Sequence, residues 1–310
     1  MRTRLLSTAL LLALVGASGC GERGEPLGEI EQPYPVTVQG ASEKPAAVAS
    51  RPERIVALDP GSTELLIALG ARDRLVGVPA GTERGEGPQK APPSAVDVVS
   101  PNLQLRVDEI VELDPDLIVA TPSTDLLDVT RAQRESGATV YVQPSSSVED
   151  VLRATLELGL LVGEPVEARR VASQIRSGIA AVEDRVADEP VRTTFVDTGF
   201  FITVPARSLL GDLVRRARGE SVAGETPGGE PFPLARLRRL DPAVYLATSD
   251  SRVTLRDLRA DPRTEDLRAV RRGRFAVLPT ELVQRAGPRL GQALERVAKA
   301  LHPDAFAEDG

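Results

Sequence analysis

The amino-acid sequence predicts two three-layer α/β lobes with mainly parallel sheets, joined by a single long rigid helix. The first observation is a repeat, since Leu-Asp-Pro-Asp-Leu-Ile-Val-Ala-Thr at 113–121 returns as Leu-Asp-Pro-Ala-Val-Tyr-Leu-Ala-Thr at 240–248. This spacing is too long for a solenoid, whose units have about 20–50 residues. The second observation is that strand and helix patterns alternate around each copy, and the third is a long helical period between the copies. Two similar lobes with a cleft between them are therefore expected.

The N-terminus has the pattern of a signal peptide over 1–19. An apolar run at 5–15 follows two arginines, and it is shorter than the roughly 20 residues that span a bilayer. The sole cysteine, Cys20, follows Ala-Ser-Gly, which resembles the lipobox of bacterial lipoproteins. The resemblance implies cleavage before Cys20 and a lipid on its sulfur, and the alternative is a free or buried thiol. Residues 20–34, rich in Gly, Glu and Pro, are expected to be a flexible tether.

Composition limits the classes of function. The chain of 310 residues has a formal net charge of −7, and an acidic chain argues against nucleic acid as a partner. His302 is the only histidine, so neither a histidine-rich metal site nor the base of a catalytic triad is expected. The motifs of serine hydrolases, phosphate-binding loops and zinc peptidases are missing as well. The sequence therefore predicts neither an enzyme nor an intrinsic cofactor or metal.

The N-terminal lobe is predicted over 35–146. Asp-Pro-Gly-Ser at 59–62 breaks the first buried strand, and the helix that follows ends at Gly70. Residues 40–52 and 79–102 show no clear period and are expected to be loops. The predicted strands cover 35–39, 54–58, 75–78, 117–120 and 139–142, and the predicted helices cover 63–69, 107–113 and 126–136.

A helical linker is predicted over 147–190, and the C-terminal lobe over 191–310. Ser147 begins a capping pattern, and Pro165 stands in the first turn of a second helix whose apolar residues recur every three or four positions. This helix is about 30 Å long at 1.5 Å per residue and is expected to be a stiff strut. The linker helices cover 148–162 and 166–186. The last lobe has a strand at 193–196, a strand after the Leu-Asp-Pro turn within 240–248 and a strand followed by Pro and a hydroxyl within 275–280, and its helices cover 209–217, 234–240, 255–258, 265–271 and 288–301.

Several sequence blocks stand in a recognisable order. The first is Arg-Ile-Val-Ala-Leu at 54–58 with Ser-Thr-Glu-Leu-Leu-Ile-Ala-Leu-Gly-Ala at 62–71, and the second is Leu-Asp-Pro-Asp-Leu-Ile at 113–118. Later blocks are Gly-Asp-Leu-Val with Gly-Glu-Ser-Val within 211–222, and Gly-Pro-Arg-Leu with Ala-Leu-His-Pro within 287–303. Together they resemble the iron-siderophore and cobalamin substrate-binding proteins of ABC importers. The resemblance covers about 53–305.

The resemblance implies two lobes on one rigid helix, a ligand held between them and little hinge motion. It also implies one acidic residue on each lobe that pairs with arginines of the membrane permease. Glu64 falls on the first of these positions, and Asp212 falls near the second, where glutamate is common. On the residues alone, Glu64 would be a solvated acid in the first turn of a helix.

The cleft is expected to be lined by the loops that follow the strands. Phenylalanines on these loops offer large flat faces to a macrocycle, or they pack in the core instead. Arginines there offer bidentate partners to carboxylates of a siderophore or of haem, or they form internal ion pairs instead. The candidate ligand-binding residues are Asp59, Phe200, Phe201, Arg207, Phe232, Arg252 and Arg285.

These implications predict a monomeric, extracytoplasmic substrate-binding protein that reaches the membrane through its lipid anchor only. It is expected to capture a ferric siderophore or a cobalamin and to deliver it to an ABC permease and ATPase. A haem receptor of the same fold and a sensor lipoprotein that does not transport are the alternatives.

Overall fold

The structure is a computed structural model that describes residues 33–84, 89–100 and 102–309, without the side chains of 308 and 309. The predicted signal peptide, Cys20 and most of the tether lie outside the described residues. Within the described part of the chain, no helix is long and apolar enough to cross a membrane.

The N-terminal lobe is built on a parallel sheet. Its strands are β1 Val36–Val38, β2 Ala46–Val48, β3 Ile55–Ala57, β4 Leu75–Pro79, β5 Val96–Val99, β6 Leu117–Ala120 and β7 Thr139–Val142, and its helices are α1 Pro60–Ala68, α2 Val107–Glu112 and α3 Leu126–Ser136. The sheet has the strand order β5-β4-β3-β6-β7, and β1 pairs with β2 in a separate antiparallel hairpin.

The C-terminal lobe follows two linker helices, α4 Val148–Leu161 and α5 Pro165–Arg185. Its strands are β8 Arg192–Asp197, β9 Gly219–Ser221, β10 Val244–Thr248 and β11 Phe275–Leu278, and its helices are α6 Leu209–Arg216, α7 Leu234–Leu240, α8 Leu255–Ala260, α9 Arg268–Arg271, α10 Thr280–Val283 and α11 Leu290–Leu301. The sheet is parallel, with the order β11-β10-β8-β9.

The repeated segment marks equivalent places in the two lobes. The order β4-β3-β6-β7 in one sheet corresponds to β9-β8-β10-β11 in the other, and the two copies end in the equivalent strands β6 and β10. The turn before each strand has the same geometry, because Asp114 and Asp241 adopt left-handed φ angles of 43° and 42°. Asp is among the few residues other than glycine that visit this region readily. The prediction of two similar α/β lobes is confirmed.

Each sheet lies between two apolar cores, which makes each lobe a three-layer structure. In β6, Leu117 faces one core and Ile118 faces the other, and in β10, Leu246 and Tyr245 alternate in the same way. One core is common to both lobes, since it includes residues of α1, α4, α5, α6 and α11. The two lobes are therefore joined through a continuous apolar interior as well as through the chain.

Three short strands were not expected from the sequence. β2 and β5 lie in segments predicted to be loops, and β9 has only three residues. β5 and β9 are edge strands, and edge strands are short and need little hydrophobic pattern because only one side is paired. The remaining strands and the helices other than α10, which was not predicted, were predicted to within a few residues.

The long helix α5 is packed between the lobes along much of its length. It contacts α4 on one side and α11 on the other. At the crossing with α11, a Cβ on Gly291 would lie 3.0 Å from the Cα of Gly178, so the two backbones meet without side chains between them. The stiff strut of the prediction is thus an embedded helix that both lobes hold.

Replacing Gly159 in α4 by alanine is expected to lower the free energy of unfolding by about 1–3 kcal/mol. A Cβ at this position would overlap with the Cβ of Ala168 in α5. Helix propensity alone predicts the opposite sign, since alanine stabilises a helix by about 1 kcal/mol relative to glycine. Urea unfolding measures the change, and Ala180→Gly on an exposed position of α5 calibrates propensity at an open site. A more stable Gly159→Ala variant would show that α4 and α5 can move apart at little cost to accommodate the added Cβ.

Candidate functional site

Each sheet has a topological switch point, where the strand order reverses between two neighbouring strands. Ligands of open α/β sheets bind at the carboxyl ends of the strands at such points. In one lobe this point lies between β3 and β6, and in the other between β8 and β10. Polar residues stand at the carboxyl ends of these four strands: Asp59, Thr121, Asp197 and Thr248.

The carboxyl ends of both sheets meet at one junction between the lobes. Gln143, directly after β7, is fully buried, and its Nε2 donates a hydrogen bond of 2.9 Å to the carbonyl oxygen of Ala286. A Cβ on Gly61, in the first turn of α1, would lie 2.9 Å from backbone atoms of the same Ala286. Gln143 and Gly61 belong to the N-terminal lobe and Ala286 follows α10, so the strand ends open toward a shared region.

Asp59 caps α1 at this junction. Its Oδ1 accepts hydrogen bonds from the backbone N–H groups of Gly61, at 2.8 Å, and Ser62, at 3.2 Å. Burial raises the pKa of Asp59, although these two hydrogen bonds and the nearby charge of Arg285 act in the opposite direction. The carboxylate therefore fixes the loop after β3, and its role toward a ligand stays a prediction.

Asp197 and Tyr245 form a polar pair that the sequence analysis missed. Asp197 is fully buried; its Oδ1 accepts from the N–H groups of Gly199 and Phe201, at 2.7 and 3.1 Å, and its Oδ2 accepts from the Tyr245 hydroxyl at 2.5 Å. Burial raises the pKa of Asp197, and the three hydrogen bonds partly offset this effect. The pair holds the tight loop at Phe200, as Asp59 holds its counterpart. An aspartate at the end of an apolar strand, one position before the equivalent of Asp59, was the available signal.

The two phenylalanines of this loop have different surroundings. Phe200 and Phe201 both adopt left-handed backbone angles, with φ of 54° and 63°. Phe200 is 84% exposed, whereas Phe201 packs partly against the core of its lobe. Phe200 is therefore available to a ligand at the strand ends.

The prediction for Phe232 does not agree with its position. Its side chain is 1% exposed and packs against Phe195, with ring centroids 5.5 Å apart. A side chain with almost no accessible surface cannot form the wall of a pocket, so Phe232 is a core residue of the C-terminal lobe. The loop after β9 turns inward at this point because Phe232 N–H donates to the carbonyl of Phe201.

Exposed leucines stand at the carboxyl ends of the N-terminal sheet. Leu127 is 83% exposed and Leu103 is 81% exposed, and Leu126 is half exposed. Leu126 and Leu127 begin α3 directly after β6, and Leu103 follows β5. We call these three residues with Phe200 the apolar rim. Two adjacent leucines straight after the Asp125 cap depart from helical periodicity, and this signal could have identified them.

Two of the three predicted arginines are engaged within the protein. Arg285 donates to Glu64 at 2.8 Å, and Arg207 pairs with Glu225 at 3.3 Å. Arg252 is exposed, and within the described part of the chain its side chain has no ion pair. Arg252 is thus the predicted cation that is most available to an external group.

Glu64 joins the two lobes. Its carboxylate accepts hydrogen bonds from Arg285 at 2.8 Å and from Arg289 at 2.8 and 3.0 Å. Both arginines belong to the segment between α10 and α11, and Gly287 approaches Glu64 closely between them. The carboxylate is occupied from within, so binding a permease arginine would require it to exchange or share these partners. Docking at Glu64 stays a prediction.

Asp212 also lies at a contact between elements rather than on an open surface. It is 7% exposed; its Oδ2 accepts from Arg216 at 3.0 Å and from the N–H of Val148, the first residue of α4, at 3.0 Å. Arg215 donates to Oδ1. Burial alone would raise the pKa of Asp212, but these hydrogen bonds together lower it. Asp212 is not presented to a partner in this arrangement, and its docking role is a prediction without structural support.

Among the described residues, no group of His, Cys, Asp and Glu side chains is arranged to hold a metal ion. His302 is buried at the end of α11, where its Nε2 lies 3.1 Å from the carbonyl oxygen of Ala217. Burial lowers the pKa of His302, which keeps the ring neutral. This histidine is part of the core of the C-terminal lobe.

Comparisons with known proteins agree with this geometry. Residues 55–282 match the protein family described as periplasmic binding protein. An uncharacterized ABC transporter substrate-binding lipoprotein, YvrC, of Bacillus subtilis is 24% identical, over 97% of each chain. A cobalamin-binding protein of Halobacterium salinarum is 27% identical, over 87% of this chain and 74% of the relative.

Solved structures show the same fold. The periplasmic vitamin B12 binding protein BtuF of Vibrio cholerae has a TM-score of 0.69 and 20% sequence identity, over 83% of this chain and 98% of its own. The periplasmic heme-binding protein RhuT of Roseiflexus has a TM-score of 0.70 and 21% identity, over 82% and 99%.

Proposed function

Because the chain belongs to the periplasmic binding protein family, we propose that it is the substrate-binding protein of an ABC importer and that its ligand is a corrinoid of the cobalamin class. It is a binding protein and not an enzyme, as are the relatives it matches. The ligand is held at the junction between the lobes, where the carboxyl ends of both sheets open.

The observation that carries the choice of ligand is the apolar rim. Leu103, Leu126, Leu127 and Phe200 are exposed at the carboxyl ends of strands of both lobes. Exposed leucine and phenylalanine side chains gain about 1.5–3 kcal/mol each when a ligand buries them fully. A macrocycle with apolar faces supplies such a surface.

The charges near the junction favour an uncharged ligand. Of the predicted arginines, Arg285 is held by Glu64, Arg207 forms an exposed ion pair with Glu225, and only Arg252 has no ion pair within the described residues. A corrinoid carries methyl groups on its ring and neutral amides at its edge. Haem and many ferric siderophores carry carboxylates, which would need free cations to balance their desolvation. The relatives named for cobalamin support the same ligand class.

Cyanocobalamin is expected to raise the melting temperature of the purified protein by roughly 5 °C or more. A ligand at about 100 times its dissociation constant stabilises the folded state by about 2.7 kcal/mol, and each kcal/mol shifts the melting temperature by roughly 2–4 °C for proteins of this size class. Differential scanning fluorimetry with cyanocobalamin, haemin and a hydroxamate ferric siderophore measures it. A shift with haemin or the siderophore alone would contradict a corrinoid as the ligand but would remain consistent with the role in an ABC importer. The absence of a shift with every chelate would contradict the capture of metal chelates.

The location is proposed from the same relatives. The periplasmic family and the lipoprotein relative support an extracytoplasmic position. A lipid on Cys20 would tether the protein beside its permease, and mass spectrometry of the membrane fraction tests for it. The permease and ATPase are the partners that this role requires.

A further inference from the structure

A cavity lined by arginines lies in the C-terminal lobe, at the amino ends of the strands of its sheet. The carboxyl ends, which face the other lobe, lie on the opposite side. The volume of the cavity is about 110 Å³, and its lining includes Arg192, Arg268, Arg272 and Arg274 beside Ala243 and Val244. Arg192 begins β8 and Val244 begins β10, so the cavity lies at the amino ends of these strands. Among the residues that the structure describes, no acidic side chain lines it.

The arginines of this cavity lack anionic partners. Within the described part of the chain, Arg192, Arg272 and Arg274 form no ion pair, and Arg268 has only a distant one, with its Nε 4.0 Å from Asp241. The Nε atoms of Arg192 and Arg268 are buried without a hydrogen-bond acceptor. A buried N–H donor without an acceptor is costly, and native proteins rarely leave one so. A nearby acid, Glu189, is directed to His302 instead.

The other lobe shows what fills the equivalent place. Ile55 pairs with Leu117 in one sheet as Thr194 pairs with Val244 in the other, so Asp116 corresponds to Ala243. The backbone agrees, because Asp116 N–H donates to the carbonyl of Arg54 as Ala243 N–H donates to that of Thr193, both at 2.8 Å.

At Asp116 the protein supplies its own carboxylate. Its Oδ2 accepts from the N–H groups of Glu53 and Arg54, at 2.8 Å each. In the C-terminal lobe, alanine replaces this acid, and Arg192 stands at the position of Glu53. At the amino ends of the equivalent strands, the N-terminal lobe therefore has a carboxylate, and the C-terminal lobe has a cavity lined by arginines.

We propose that this cavity binds a phosphate-class oxyanion, either inorganic phosphate or the phosphate ester of a lipid headgroup. Guanidinium groups match the oxygens of phosphate with paired, charge-assisted hydrogen bonds. The anion takes the place that the Asp116 carboxylate has in the other lobe and supplies acceptors to the two buried Nε atoms. The site is separate from the junction between the lobes, so this proposal does not depend on the proposal that the ligand is a corrinoid.

Isothermal titration calorimetry of the full chain with inorganic phosphate, in chloride buffer of low ionic strength, tests the site. We expect one phosphate to bind per chain, and Arg272→Gln to weaken binding by about tenfold or more, the loss of one charged hydrogen bond. Arg271→Gln is the matched control, since this neighbouring arginine is exposed and does not line the cavity. Absence of binding, or equal weakening by both variants, would overturn the proposal.

Ala243→Asp provides a second and opposite test. It places in the C-terminal lobe the carboxylate that Asp116 provides in the other, so we expect it to abolish phosphate binding and to raise the melting temperature. Unchanged phosphate affinity in a folded Ala243→Asp protein would contradict the site. Glycerol phosphate, compared with inorganic phosphate, distinguishes the two sources: tighter binding of the ester supports a lipid headgroup, and tighter binding of inorganic phosphate supports the free ion.

Discussion

Arg216→Met should lower the free energy of unfolding by up to about 3–5 kcal/mol, because it removes the buried counter-charge of the buried Asp212 carboxylate and leaves it with the exposed Arg215 alone. The Arg216 side chain is 12% exposed and pairs with Asp212, Glu183 and Glu149. These three acids belong to α6, α5 and α4, so one guanidinium connects the C-terminal lobe with both linker helices. Its removal should therefore loosen the joint between the lobes.

Arg215→Met is the matched control for this variant. Arg215 pairs with the same Asp212, but its side chain is 67% exposed. Exposed ion pairs contribute only about 0–1 kcal/mol, so its replacement should have little effect. Urea unfolding of both variants at neutral pH gives the comparison. Equal losses in the two variants would show that burial of Arg216 does not determine its contribution.

The same experiment has a pH dependence with a definite sign. The folded-state pKa of Asp212 is lowered, so its contribution to stability is present above its unfolded pKa of about 3.9 and is lost as the pH falls through the folded value. The difference between the native protein and Arg216→Met should accordingly be largest near neutral pH and shrink below about pH 4.

The double variant Leu127→Ser, Phe200→Ser should weaken cobalamin binding by a factor of about a hundred or more. Each side chain is exposed, so its replacement should not impair folding. Each contributes about 1.5–3 kcal/mol if the ligand buries it fully, and substitutions on opposite lobes should add approximately. The expectation depends on the proposed corrinoid ligand.

Calorimetric dissociation constants for cyanocobalamin test this expectation. Val166→Ser is the control, because Val166 is an exposed apolar residue at the start of α5, away from the strand ends. If the double variant binds as tightly as the unaltered protein, the apolar rim does not contact the ligand.

The lobes and the linker were predictable because their signals are local. The Leu-Asp-Pro turns, the Gly70 and Gly137 helix ends and the period of α5 all appear within short stretches of sequence. The long-range partners of Glu64 and Asp212 were not predictable, because Arg289 lies far along the chain from Glu64, and Val148 from Asp212. Resemblance suggested an external partner for each acid, whereas the fold supplies an internal one.

For the candidate ligand residues, too, the position in the chain was predictable and the surroundings of the side chain were not. The loops that carry them follow from the alternation of strands and helices, but the direction of each side chain does not. Phe200 and Phe232 are both phenylalanines in loops after strands, and one is exposed while the other is core. Burial depends on the packing of the whole lobe, and no local pattern separates the two.

The core that both lobes share has a kinetic consequence for a bound ligand. Lobes joined by a continuous apolar interior, by Glu64 and by Arg216 cannot swing apart without disrupting packing. If a ligand binds at the strand ends as proposed, its residence time is expected to depend on its own contacts there rather than on a closing and opening motion. Rapid release would then require a binding partner that displaces the strand-end loops or separates the lobes at their shared core.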